Sequence, residues 1–152
     1  MTRAIPGMLV SILLTSAPLA AAEWTVKPRA GAGCALESSA ESLSDGYQTT
    51  TARLVVDGRS ITVTSPSVFD PGFNDIGIEV DQGALVPMDR LADPRTATFQ
   101  SRYDTLVEQF KRGRRARVQL RFWPTWPETG THSAAVSLIG FTRAYAQLED
   151  CK

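Results

Sequence analysis

Histidine is nearly absent from this chain, cysteine occurs twice, and neither sign of charge prevails: of 152 residues one is His, two are Cys, and 16 Lys and Arg face 16 Asp and Glu. Each shortage excludes a class of function. A catalytic triad needs a placed base, yet His132 stands alone in a polar loop and no serine occupies a G-x-S-x-G elbow. One His and two distant cysteines do not readily assemble a closed zinc site, and there is no phosphate loop or dinucleotide fingerprint. No cofactor or metal is therefore expected. Balanced charge gives no global attraction to nucleic acid, which is not expected as a partner.

Long apolar runs are also missing. The sustained one, Ala4 to Leu14, falls well short of the roughly 20 residues a membrane-spanning helix needs. With Arg3 before it, Pro18 breaking it and Ala20-Ala21-Ala22 after it, residues 1–22 read as a cleaved export signal. The protein is thus expected in the periplasm or outside the cell, and not spanning a membrane. Removing that segment leaves roughly 130 residues, 23–152, a single domain of common size.

Export changes the meaning of the cysteines. In an oxidising compartment Cys34 and Cys151 most simply form one disulfide that clamps both ends of the mature chain. A reactive thiol or a metal site is the lesser alternative, since neither stands in a C-x-x-C spacing. Gly31-Ala32-Gly33-Cys34 superficially resembles a lipidation site, but the polar segment Glu23 to Arg29 separates it from the apolar run.

From Tyr47 onward the pattern is mainly β, whereas residues 23–46 suggest a short strand at Trp24 followed by a loose excursion. In TARLVVDGRSITV, Asp57-Gly58 suits a two-residue hairpin turn, which would set Leu54 opposite Ile61, Ala52 opposite Val63 and Arg53 opposite Thr62. A second hairpin is expected in NDIGIEVDQGALVPM, with Gly83 in the left-handed position and Pro87 at its end or on an edge. Tyr103, Leu106, Val107 and Phe110 follow helical spacing, with Ser101 as cap and Gly113 as stop. RRARVQLRFW then alternates, Ala116, Val118, Leu120 and Phe122 inward and Arg115, Arg117, Gln119 and Arg121 outward. WPTWPETGTH is an exposed proline-stiffened loop. A last strand near 134–138 leads through Gly140 into a terminal helix. The fold expected is mainly β, an antiparallel sandwich or partly open barrel with two short helices.

Two surface features remain as candidates for function. Arg115, Arg117 and Arg121 share one face of one strand, joined at its base by Lys111, Arg112 and Arg114. Such a patch suits an acidic envelope polymer, a lipid headgroup or an acidic protein; pairing with acids such as Glu79 is the plainer reading. Trp123 and Trp126 flank Pro124, where they either anchor a partner at small entropic cost or fold back as a lid. The acids Asp70, Asp75, Glu79 and Asp81 lack the spacing of a calcium loop. A hydrolase would need two of them across a cleft.

The order of short motifs resembles the invasion-associated locus B family of exported bacterial proteins. Trp24-Thr25-Val26 resembles its opening strand, Cys34-Ala35-Leu36 its early cysteine segment, IGIEVDQGALVPM its central strand, and Val136-Ser137-Leu138-Ile139-Gly140-Phe141 its turn into a final helix. The chain departs from the family at Lys27 and at Ala92 to Ala97, where members often carry further cysteines, so no disulfide connectivity is transferred. The resemblance implies an exported, largely β, non-catalytic protein, linked in some bacteria to host-cell association. The reading reached is a binding protein of the envelope whose partner is an envelope or host protein or an acidic polymer, contacted by Arg115, Arg117, Arg121, Trp123 and Trp126. The rivals are a small hydrolase using paired carboxylates and a purely structural envelope factor.

Overall fold

The computed structural model describes residues 24–29, 33–125 and 130–151. The segment read as an export signal and Trp126 lie outside the described residues. Antiparallel strands make two facing sheets. The larger contains β1 (Trp24–Pro28), β2 (Cys34–Ser38), β4 (Thr49–Val56), β5 (Ile61–Thr64), β9 (Thr96–Phe99) and β8 (Arg90–Asp93) in that order, with β3 (Glu41–Ser44) also paired to β4. The smaller runs β11 (His132–Ser137), β10 (Arg115–Leu120), β6 (Gly77–Val80) and β7 (Val86–Pro87). Two helices, α1 (Tyr103–Arg112) and α2 (Phe141–Glu149), complete a sandwich that is not a closed barrel.

Alternation decides which side chains fill it. Leu54, Val56, Ile61, Val63 and Phe99 of the larger sheet face Ile78, Ala116, Val118, Leu120 and Val136 of the smaller, all buried in one core. The helices close one end with aromatics: Phe141 meets Trp24 edge-on at 4.9 Å and Phe110 at 5.3 Å between ring centroids. The Trp24 indole donates to the Ser137 carbonyl at 2.9 Å, tying the first strand of one sheet to the last of the other. No helix among the described residues is long and apolar enough to cross a membrane.

Local turn chemistry departs from expectation in four places. The Asp57 hairpin pairs Val56 with Ile61 and Leu54 with Val63, two positions off the expected register. The cause is Asp57, whose carboxylate accepts the Arg59 and Ser60 amides and builds a four-residue loop. Because the shift is even, the buried face is unchanged. In the second hairpin Asp81 and Gln82 take the positive φ values, 47° and 65°, in place of Gly83. Asp tolerates that conformation, and its carboxylate is fixed by the Arg114 and Arg115 amides at 2.9 and 3.0 Å. Ser101 does not cap α1; its amide and hydroxyl both donate to Asp89. Finally, residues 34–44 are not a loose excursion but β2 and β3. Their join is mended by Ser38, whose Oγ accepts the Leu54 amide at 3.0 Å.

Candidate functional site

Strand β10 carries the arginines, and its two neighbours determine what those arginines face. Register sets Arg117 beside Glu79 on β6, and the two side chains form an ion pair. Arg121, just past the strand, donates from Nε to both oxygens of Asp75, at 3.0 and 2.8 Å, and its guanidinium lies 4.0 Å from the centre of the Phe73 ring. Thr131 donates to the same carboxylate at 2.7 Å. Burial alone would raise the Asp75 pKa, but the Thr131 hydroxyl and the Arg121 guanidinium outweigh it and hold the pKa below the ordinary value. Arg115 is exposed and makes no ion pair among the described residues.

Arg115 and Trp123, grouped together by sequence, therefore lie at opposite ends of this stretch, and Trp126 is outside the described residues. Arg115 begins β10 at the helix-covered end of the sandwich. Trp123 lies eight residues further along, about 26 Å of extended chain away. The chain stays extended there because Phe122 bridges Phe69 and the Trp123 amide donates to the Val68 carbonyl at 2.8 Å.

Trp123 is 63% exposed, so its side chain is not folded back as a lid. Beside it, Tyr47 donates its hydroxyl to the Pro124 carbonyl at 2.9 Å while 56% of its surface stays open. Sequence reasoning missed Tyr47, which sits 76 positions upstream of Trp123 and is brought to the neighbouring Pro124 by the β3–β4 turn. That turn is held by Asp45, whose carboxylate accepts the Tyr47 and Gln48 amides at 2.9 Å and the Ser67 hydroxyl at 2.7 Å. Burial opposes ionisation of Asp45, and the Ser67 and amide hydrogen bonds prevail, lowering its pKa. The loop after Trp123 is pinned in the same manner, Thr125 donating to buried Asp70 at 2.8 Å. The result is two aromatic faces on a carboxylate-braced rim.

The acids considered for hydrolysis are all engaged. Asp70 accepts Gly72 and Thr125, Asp75 accepts Arg121 and Thr131, Glu79 pairs with Arg117, and Asp81 accepts backbone amides. A cavity of about 290 Å³ on the outer face of the larger sheet is lined by Ala40, Thr51, Arg53, Thr64, Ser65 and Pro66, none of them a carboxylate. His132 opens β11, its ring 5.9 Å from that of Phe122 and its Nε2 buried without a hydrogen-bond partner among the described residues. Among the described residues no group of three or more His, Cys, Asp or Glu could hold a metal. Cys34 and Cys151 are bonded to one another, with Cα atoms 5.8 Å apart.

No protein-family model matches the sequence, and no curated protein matches it. Among solved structures, the crystal structure of invasion-associated protein B from Bartonella henselae matches at a TM-score of 0.57 and 15% identity. The match covers 85% of this chain and 93% of that one. At that identity the likeness is one of fold, and it is the fold that the short motifs at Trp24, Cys34 and Gly140 imply: this chain shares its architecture with an invasion-associated protein B.

Proposed function

We propose that this protein is an exported, non-catalytic binding protein of the bacterial envelope, distantly related to the invasion-associated locus B family, which grips a protein or polymer partner with the Trp123 end of its sandwich. The observation that carries this reading is the large open surface of Trp123, supported beside Tyr47 on a rim braced by Asp45 and Asp70. Large aromatic side chains on a pre-organised rim lose little entropy on binding and dominate interface energies. Export is supported by the N-terminal segment and by the Cys34–Cys151 bond, which an oxidising compartment preserves. The fold it shares with a protein described as invasion-associated is in keeping with a role at the cell envelope. A general acid needs a raised pKa, and Asp75 is displaced the other way.

Cross-linking in intact cells, followed by purification and mass identification, tests it. Wild type is expected to capture a specific partner, and Trp123→Ala to lose it while keeping the far-UV spectrum of the folded protein. Equal capture by both would remove Trp123 from the contact surface. Specific capture by neither, with loss of another envelope protein in a knock-out, would favour the structural-factor reading.

A further inference from the structure

The opposite end of β10 has a different chemistry. Four segments meet there: the end of α1, the turn into β10, the end of β11 and the start of α2. The Leu138 amide donates to the Arg114 carbonyl at 2.9 Å, and the Thr142 hydroxyl donates to the Lys111 carbonyl at 3.3 Å. The approach depends on Gly113, where an added Cβ would come within 2.5 Å of the Val80 side chain. Lys111, Arg112, Arg114, Arg115 and Arg143, all exposed, are thereby gathered at one corner.

Among the described residues two carboxylates, Glu108 and Asp81, are held at this group, and against five cations they leave it net positive. Glu108 pairs with Lys111 and Arg112 on the surface of α1, at 3.5 and 3.0 Å. Asp81 is committed to the Arg114 and Arg115 amides. Arg114, Arg115 and Arg143 form no ion pair among the described residues. Helix α2 begins with neither a side-chain cap nor an acid in its first turn, so its positive dipole end adds to the same field. Amid these cations Ile139 projects with 72% of its surface exposed, the most open of the large apolar side chains described.

We infer that this corner docks on an anionic phospholipid surface, the arginines contacting headgroup phosphates while Ile139 enters the headgroup layer. Charge complementarity supplies the attraction, and Ile139 selects the occupant. A bilayer offers a lone isoleucine an apolar phase anywhere along its surface, whereas an acidic polypeptide would need a pocket shaped for it. Docking by this corner holds Trp123 at the far end of β10, turned toward water. The inference concerns a surface separate from Trp123 and stands whether or not that residue grips a partner.

Co-sedimentation of the exported form, purified from cells, tests it with vesicles of phosphatidylglycerol mixed with phosphatidylcholine, against phosphatidylcholine alone. Binding is expected to the anionic vesicles only and to weaken as salt is raised. Arg114→Gln, Arg115→Gln and Arg143→Gln together should weaken it roughly 100-fold, at about fivefold per cation. Ile139→Ser keeps every charge and should weaken it roughly tenfold, through lost apolar burial alone. Trp123→Ala should bind as wild type does. Equal binding to neutral vesicles, or undiminished binding by the triple variant, would overturn the inference. Binding to soluble polyglutamate without binding to vesicles would assign the corner to an acidic polypeptide and overturn it too.

Discussion

Arg115 opens β10 and Arg121 lies just past its end, yet Arg121 is gripped by Asp75 with its side chain only 14% exposed, while Arg115 makes no ion pair among the described residues. The difference lies in the neighbours. At the Trp123 end, loops from both sheets bring Asp45, Asp70 and Asp75 into the rim, and their carboxylates are used up on hydroxyls, amides and one guanidinium. At the helix end, the nearby acids Asp81 and Glu108 are spent on backbone amides and on their own helix. An alternating arginine strand is therefore not one basic surface. Arg121 is matched by an acid at the rim, whereas cations outnumber acids where α1 and α2 meet.

The largest expected effect concerns how the helix end is anchored. Cys151 follows α2, the helix that carries Arg143, and its bond to Cys34 closes a separation of 117 residues. On the chain-entropy account a loop of that length contributes roughly 4 to 5 kcal/mol. Replacing both cysteines by serine should lower the stability measured by guanidinium unfolding by about that amount. Hydrogen exchange should rise in α2 before it rises around Tyr47. Uniform loosening of both ends would mean that the bond stabilises the sandwich as a whole and sets no difference between them.

A middle-sized effect separates the two paired arginines. Asp75→Asn leaves the Arg121 guanidinium, whose Nη1 is buried without a partner among the described residues, short of its counter-charge. Breaking a fully buried pair costs about 3 to 5 kcal/mol; this pair is partly exposed, and about 2 kcal/mol is expected. Glu79→Gln removes the acid from Arg117, which is 49% exposed, and should cost less than about 1 kcal/mol. Equal costs in chemical unfolding would erase the gradient along β10.

How much of this was legible in the sequence follows from what kind of interaction each feature depends on. The inward residues of β10 were readable because alternation is local, and the even register shift at Asp57 left the buried face as expected. The departures at Asp57, Asp81 and Ser101 all come from one cause: a carboxylate or a neighbouring strand competes for backbone amides, which residue type alone does not reveal. Cys34 and Cys151 could be paired from compartment and count. Tyr47 could not be placed beside Trp123, since its hydrogen bond to Pro124, across 77 positions, leaves no local signal. The grouping of Arg115 with Trp123 came from adjacency in sequence, which on an extended strand means separation in space.

The smallest effect is one of pH. Asp45 and Asp75, both on the Trp123 rim, have pKa values lowered from the ordinary 3.8. A depressed folded value means that their stabilisation is fully present above 3.8 and is lost as pH falls through the lower folded value. Acidification below about pH 4 should therefore raise hydrogen exchange at the Tyr47 and Gln48 amides before it does so at the Phe110–Phe141 contact. Simultaneous loss would show that the rim has no acid sensitivity of its own. Glu37 and Asp89 are lowered too and will add to the global acid loss, so the order of events is the informative reading.

The central claim is that the two ends of β10 carry separable surfaces, and a paired measurement on two variants tests it most directly. Trp123→Ala and the triple arginine-to-glutamine variant at 114, 115 and 143 would each be assayed for partner capture in cells and for sedimentation with phosphatidylglycerol vesicles. The account predicts a crossed result, with capture lost only in the first and vesicle binding lost only in the second. Loss of both activities in either folded variant, or of neither activity in both, would contradict it.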